Sequence, residues 1–81
     1  MEKRISIISI IVEDKNAADA INSLLHEYSE HIIGRMGIPY RERGVSVICV
    51  VVDAPTDVTS ALSGKLGALW GVSTKTVTSK T

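Results

Sequence analysis

Two runs of β-branched residues that are apolar on both faces constrain the fold of this chain more than any other feature. Residues 4–13 (RISIISIIVE) and 45–53 (VSVICVVVD) are short and rich in Ile and Val, which favours strand over helix. Because successive side chains of a strand point to opposite faces, each run places apolar groups on both. We therefore predict that the two strands lie in the centre of a sheet and are covered on both sides.

An amphipathic segment follows each run. From about residue 16 to 29, apolar residues recur at three- and four-residue spacing, and Asn16 with Asp19 resembles an N-terminal cap. The second helix should open at Ala54 and Pro55, a proline being tolerated in the first turn, and end near Gly71. Its predicted buried stripe consists of Val58, Leu62, Leu66 and Leu69.

Two weaker strand patterns complete the predicted order β-α-β-β-α-β. Residues 31–38 (HIIGRMGI) favour an edge strand, residues 39–44 (PYRERG) a hairpin turn, and residues 72–79 (VSTKTVTS) a second edge strand. Right-handed crossovers then place strands one and three side by side and both helices on one face. We predict an α+β, ferredoxin-like sandwich with a four-stranded antiparallel sheet, forming a single domain over residues 1–81.

This topology leaves one apolar face of the central strands without helices. In soluble proteins a contiguous aliphatic patch marks an interface, and so short a chain gains stability by oligomerising. We predict a homo-oligomer, either a dimer or a tetramer, whereas a locally shielded surface is the alternative. The predicted interface consists of Ile7, Ser9, Ile11, Val47, Cys49 and Val51.

Composition disfavours two classes of partner. Nine basic and nine acidic residues cancel, so little counterion release would drive direct binding to DNA by this chain alone. The longest apolar run, residues 47–52, has six residues, where a membrane span needs about 20. The start of the chain lacks the pattern of a secretory signal. We expect a cytoplasmic protein without a membrane segment.

Few residues are suited to catalysis or metal binding. His26 lies opposite the apolar stripe of the first helix, and His31 lies where that helix meets strand two. Cys49, the single cysteine, sits among Val and Ile, where cysteine acts as a small hydrophobe. The three side chains would suit nickel, copper or zinc, but their segments do not converge within one subunit. We expect no catalytic residue, no metal and no cofactor.

Three arginines gather around the predicted hairpin and are partly balanced by Glu42. Guanidinium groups pair well with carboxylates, so one interpretation is a site for an anion or a partner. The other interpretation is a solvated turn. These hairpin arginines are Arg35, Arg41 and Arg43.

Three stretches carry a resemblance to a known family: EDKNAADAINSLLHEYS, IIGRMGIPYRERGVSVICVVVDAPTD and ALSGKLGALWGVSTKTV. Over nearly its whole length the chain resembles the small family of iron-only hydrogenase system regulators. That family's fold is similar to the ACT domain and to the C-terminal domain of the nickel-responsive regulator, where ligands bind between subunits. The resemblance implies a non-catalytic regulatory or sensing domain, with any transcriptional effect exerted through a partner protein.

The chain departs from both related domains where they bind ligands. It has Asp14, Lys15 and Asn16 in place of the Pro-Gly turn usual after strand one of ACT domains, which weakens the case for an amino-acid ligand. Its two histidines fall short of the three histidines and one cysteine used for nickel. We place a ligand site at Asp14, Asn16 and the hairpin arginines. The alternative function is a protein–protein adaptor without a small-molecule ligand.

Overall fold

Strands and helices follow the predicted order in the computed structural model, which describes residues 2–80. The strands are β1 (Lys3–Val12), β2 (Ile32–Tyr40), β3 (Val45–Pro55) and β4 (Val72–Thr78). The helices are α1 (Ala18–Glu27) and α2 (Thr56–Gly67), and short 3₁₀ turns span Lys15–Ala17, Ser29–His31 and Arg41–Arg43. The predicted α+β, ferredoxin-like fold is confirmed.

The sheet is antiparallel throughout, with strand order β2-β3-β1-β4. β1 and β3 pair along their whole length, from Lys3 opposite Pro55 to Val12 opposite Ser46. The two strands predicted to be central are therefore central, and β2 and β4 form the edges.

Both helices pack on the same face of the sheet and form an aliphatic core with it. Ile8, Ile10 and Val50 on the central strands have no exposed surface. The helices pack against these strands and bury four side chains there: Ile21 and Leu25 of α1, and Leu62 and Leu66 of α2. Since full burial of such a side chain stabilises by about 1.5 to 3 kcal/mol, this helix-covered face supplies most of the driving force for folding.

The first helix begins differently from the prediction. The cap is Asp14 and not Asn16, because Asp14 Oδ1 accepts a hydrogen bond of 3.0 Å from the backbone N–H of Asn16. This bond starts the 3₁₀ turn at Lys15–Ala17, and α1 proper begins only at Ala18. A short side chain that bonds two residues ahead favours such a turn over an immediate α-helix.

The predicted hairpin turn was too long. Pro39 belongs to β2, which continues to Tyr40, and an edge strand tolerates a proline because its outward side needs no N–H donor. The connection is the Arg41–Arg43 turn followed by Gly44. Gly44 has φ +66°, a left-handed conformation that glycine adopts without steric cost.

The second helix also differs in its start and its buried stripe. Pro55 ends β3 and precedes α2, which begins at Thr56. Thr59 is buried with Leu62 and Leu66, whereas the predicted Val58 and Leu69 are only half-buried. The buried stripe is therefore centred about one residue away from the predicted one, and it includes a hydroxyl group.

Two contacts tie the helices and loops together. Lys65 Nζ of α2 lies 3.3 Å from Glu27 Oε2 of α1 and 5.1 Å from the centroid of the Tyr28 ring. Hydrogen bonding with the Tyr28 side chain, and then with Glu27, raises the pKa of Lys65 above its ordinary value. At the other end of the sheet, Glu13 N–H donates to the carbonyl oxygen of Gly71 over 2.7 Å.

No helix within residues 2–80 has both the length and the hydropathy that crossing a membrane requires.

Candidate functional site

The sheet face opposite the helices is apolar and uncovered. Cross-strand pairs on it are Ile7 with Val51, Ser9 with Cys49 and Ile11 with Val47. The structure thus places all six predicted interface residues on this one face. Ile11 keeps 46% of its surface exposed although it lies in a central strand.

The edge strands extend this apolar face on both sides. On β2, Met36 pairs with Cys49 and is 58% exposed; on β4, Val77 pairs with Ile7 and is 66% exposed. The charged residues of the face stand towards its margins. We define the open sheet face by its large or central members, Ile5, Ile7, Ser9, Ile11, Met36, Ile38, Val47, Cys49, Val51 and Val77.

Sequence reasoning missed the edge-strand members Met36, Ile38 and Val77. Alternation along β2 does put Met36 and Ile38 on one side of the strand. The side could not be assigned, because a shift of one residue in register would move both to the helix-covered face.

A second feature is a groove that runs over the N-terminal end of α1 towards the β2–β3 turn. It consists of two cavities of about 170 and 430 Å³, which share Val12, Lys15 and Ser46 in their linings. Arg35 lines the smaller cavity and Arg41 the larger. We call this feature the basic groove, and it brings three cationic side chains from three separate segments to one surface.

The cations of the basic groove are available for an anion. Arg35 pairs across the sheet with buried Val50, so it lies on the helix side, where its Nη2 donates to Asn22 Oδ1 over 3.2 Å. Ion pairs elsewhere in residues 2–80 join Arg4 to Glu2, His31 to Glu30 and Lys65 to Glu27, and none involves the basic groove. Three positive charges without a carboxylate partner would attract a negatively charged ligand.

The predicted ligand residues are only partly brought together. Asp14 is held in the turn after β1, bonded to Asn16 N–H and packed against Gly71. Asn16 is exposed beside it, and neither residue lines the basic groove. Their predicted role in ligand binding thus has a competing structural explanation, which is the geometry of the turn.

Of the hairpin arginines, the groove contains Arg35 and Arg41, whereas Arg43 is exposed in the turn and does not line either cavity. Lys15, which lines both cavities, was absent from the predicted site. Its position in the loop after strand one, between two residues that were chosen, is the signal that could have indicated it.

The histidines and the cysteine lie apart. His26 is exposed on α1, His31 Nε2 lies 3.5 Å from Glu30 Oε1, and Cys49 is half-buried on the open sheet face. Within residues 2–80, no three His, Cys, Asp or Glu side chains converge in a way that could hold a metal ion.

Comparisons with known proteins agree with this architecture. The model of a family described as "TM1266-like: Iron-only hydrogenase system regulator, putative" matches residues 4–76. The solved structure of the uncharacterized protein TM1266 from Thermotoga maritima is 44% identical, with a TM-score of 0.93 over 98% of this chain and 100% of that chain. No curated protein matches the chain.

A more distant structure shares only the fold. A formyltetrahydrofolate deformylase from Pseudomonas putida KT2440 is 14% identical and superposes with a TM-score of 0.65. The match covers 90% of this chain and 28% of that chain. The same sandwich thus occurs as one part of a larger protein, which is consistent with a fold that serves many functions.

Proposed function

Because this chain belongs to the TM1266-like family of iron-only hydrogenase system regulators, we propose that it is a non-catalytic, homo-oligomeric sensing domain of such a system. The observation that carries the proposal is the open sheet face. A sensing domain of this kind needs a surface that joins its copies and a site that takes a signal. The open sheet face and the basic groove are suited to these two roles.

The open sheet face supports assembly with a second copy. Soluble monomers rarely leave a contiguous apolar patch of several strands in water. Each large side chain there, such as Ile11 or Met36, is about half exposed, so covering it would contribute about 1 kcal/mol. A two-fold axis presents the same patch from both subunits, which makes an aliphatic face self-complementary.

Charge on this face is compatible with a second copy as the occupant. Asp53 pairs with Ile5 at one end of the face, and Lys75 pairs with Ser9 on the β4 side. Lys3, which alternates with Ile5 along β1, adds a second positive charge. The face thus carries charges of both signs, so two copies packed face to face do not bring only like charges together. Apart from the small polar Ser9, the centre of the face is apolar, which suits a contact from which water is excluded.

The basic groove supports the sensing part of the proposal. Lys15, Arg35 and Arg41 line it, Asn22 adds an amide, and the two cavities together have the size of a small-molecule site. We propose a small anionic ligand there, whose binding would alter how the oligomer engages a partner protein. Regulation of transcription would proceed through that partner.

A protein–protein adaptor without a small ligand is the second candidate, and one observation favours it. Trp70, in the connection between α2 and β4, is 85% exposed. Exposed Trp and Arg side chains are enriched among the residues that dominate binding between proteins. An adaptor would use Trp70 and the hairpin arginines as contacts and would need no occupant in the basic groove.

Native mass spectrometry of the protein isolated from its own cells tests these proposals together, because it reports the oligomer and any retained ligand in one measurement. We expect a dimer or tetramer with a small anion bound. A ligand that binds only the folded state should also raise the melting temperature by mass action. An oligomer that never carries or responds to a small anion would favour the adaptor, and a monomer at micromolar concentration would contradict the proposed homo-oligomer.

A further inference from the structure

A third surface, which meets the open sheet face at Lys75 and is distinct from the basic groove, carries an unusual lining. It is a groove of about 460 Å³ between α2 and the edge strand β4. Within the described part of the chain, seven of its nine lining residues carry hydroxyl groups, and the other two are Gly64 and Lys75. Most ligand cavities of this size are lined mainly by apolar groups with a few polar ones, so this hydroxyl groove is chemically specialised.

The helical period of α2 and the strand period of β4 both place hydroxyl side chains in this groove. On α2, Thr56, Thr59 and Ser63 recur at three- and four-residue spacing and share one side of the helix. On β4, Thr74 and Thr76 alternate with residues of the open sheet face and thus point to the helices. Thr has a high strand propensity, which is enough to explain the threonines of β4. Ser and Thr are not favoured in a helix interior, so helix propensity does not explain the hydroxyl residues of α2.

Hydrogen bonds within the groove leave one buried hydroxyl without a partner. Thr76 Oγ1 donates to Ser63 Oγ over 3.0 Å, and Thr78 Oγ1 pairs with Ser6 Oγ over 2.8 Å. Thr59 lines the groove and is 4% exposed. Within residues 2–80 its Oγ1 has no hydrogen-bond partner. An unpaired buried hydroxyl is destabilising, whereas an isosteric valine would not be, so a ligand that pairs with it would explain the threonine.

The lining also indicates the class of ligand. Among residues 2–80, it has no carboxylate that could bind a cation and no aromatic ring on which a sugar or base could stack. A hydroxyl group can donate to an acceptor oxygen, and Lys75, which lines the groove from the edge strand, adds a positive charge. Asp57 Oδ1 already accepts from Val58 N–H at the start of α2, so side-chain hydroxyls, not the helix end, would hold the ligand.

We propose that the hydroxyl groove binds a small oxyanion, either a phosphate or a carboxylate group, with Thr59 Oγ1 as a donor and Lys75 as the counter-charge. This site goes beyond the proposed function, since none of the described residues lines both it and the basic groove. It would give the domain a second anion site on the opposite edge of the sheet.

The test follows backbone amide resonances while inorganic phosphate or acetate is added against sodium chloride of matched ionic strength. We expect saturable shifts at Thr59, Ser60 and along β4 with one or both anions, and the two arms distinguish a phosphate from a carboxylate. Thr59→Val should weaken binding about tenfold or more, as expected for a lost bond to a charged acceptor. Thr59→Ser retains the hydroxyl and should bind like the wild type. Ser73→Ala, on β4 but on the open sheet face and not in the groove lining, is the control.

Thermal unfolding provides an independent readout. In chloride alone, Thr59→Val should melt at a higher temperature than the wild type, because the unpaired hydroxyl is gone. The same variant should lose the increase in melting temperature that phosphate or acetate gives the wild type. Shifts that chloride reproduces, shifts confined to Lys15 and Arg41, or a Thr59→Val variant that binds like the wild type would each overturn the proposal.

Discussion

A carboxylate introduced at Val47 should separate assembly from folding. Val47 lies on the open sheet face, flanked by Ile11 on β1 and Ile38 on β2, and is half-buried in the isolated chain. In Val47→Glu the new carboxylate can therefore still reach water in a monomer. The fold should lose only about 1 kcal/mol of stability, as is usual for a substitution that creates no buried charge.

The cost in the assembled state is larger. A second copy packed on the face would exclude water, and an unpaired buried charge costs about 3 kcal/mol or more. A two-fold interface incurs this cost in both subunits. The total of about 6 kcal/mol corresponds to a loss of about four orders of magnitude in the association constant.

Sedimentation velocity across micromolar concentrations measures this effect, and far-ultraviolet circular dichroism reports the fold. We expect a folded Val47→Glu monomer under conditions in which the wild type is an oligomer. Ala61→Glu, at an exposed position of α2 on the other side of the molecule, is the matched control and should assemble normally. Ile38→Glu, in the edge strand, repeats the test at a site where folding is less sensitive. The reasoning fails if both face variants keep the wild-type oligomer or if the wild type is itself monomeric.

Three further predictions concern single features of the structure. Replacing the hairpin arginines together by Gln should change the melting temperature little, since exposed charges contribute about 0 to 1 kcal/mol, but should reduce recovery of anionic ligands or partners in pull-downs. Gly71→Ala should destabilise by at least about 2 kcal/mol in urea unfolding, because Gly71 has φ +75° and an added Cβ would lie 2.5 Å from Asp14 Cβ. Gly64→Ala, where an added Cβ meets nothing, is its control and should not destabilise. The pKa of Lys65 is raised in the folded protein, so its charged side chain contributes fully to folding stability below the ordinary lysine pKa of 10.5. This contribution is lost as the pH rises through the higher pKa of the folded state. The difference in melting temperature between wild type and Lys65→Met should thus disappear in strongly alkaline solution.

These predictions would be contradicted by specific results. A triple arginine variant that unfolds, or that keeps every ligand and partner, would show that the hairpin arginines are structural or merely solvated. A Gly71→Ala variant as stable as the wild type would show that the turn relaxes away from Asp14. A Lys65→Met difference that grows with alkaline pH would reverse the assigned direction of the pKa shift.

The arrangement of the sheet could be predicted because it depends on a pattern within each strand. The run at 4–13 is apolar on both faces, and only the two central strands of this topology can use such a pattern. The same reasoning placed Ile7 and Ile11 on a shared face with Val47 and Val51, since alternation along two paired strands is enough for that. It could not add Met36, because its face depends on the register of β2 against β3 and on an irregularity between Ile32 and Gly34.

The basic groove and the hydroxyl groove depend on contacts between segments that are far apart in the chain, and no local pattern encodes such contacts. Lys15, Arg35 and Arg41 meet only because the loop after β1 packs beside β2 and the β2–β3 turn. Thr59 was absent from the predicted buried stripe of α2, which began at Val58, because a hydroxyl in a helix carries no sign of burial. The structure shows instead that α2 turns Thr59 towards β4. A polar residue at a buried position of an otherwise aliphatic core is costly unless something pairs with it. That cost makes Thr59 the most informative single position for deciding whether this domain takes a ligand away from the basic groove.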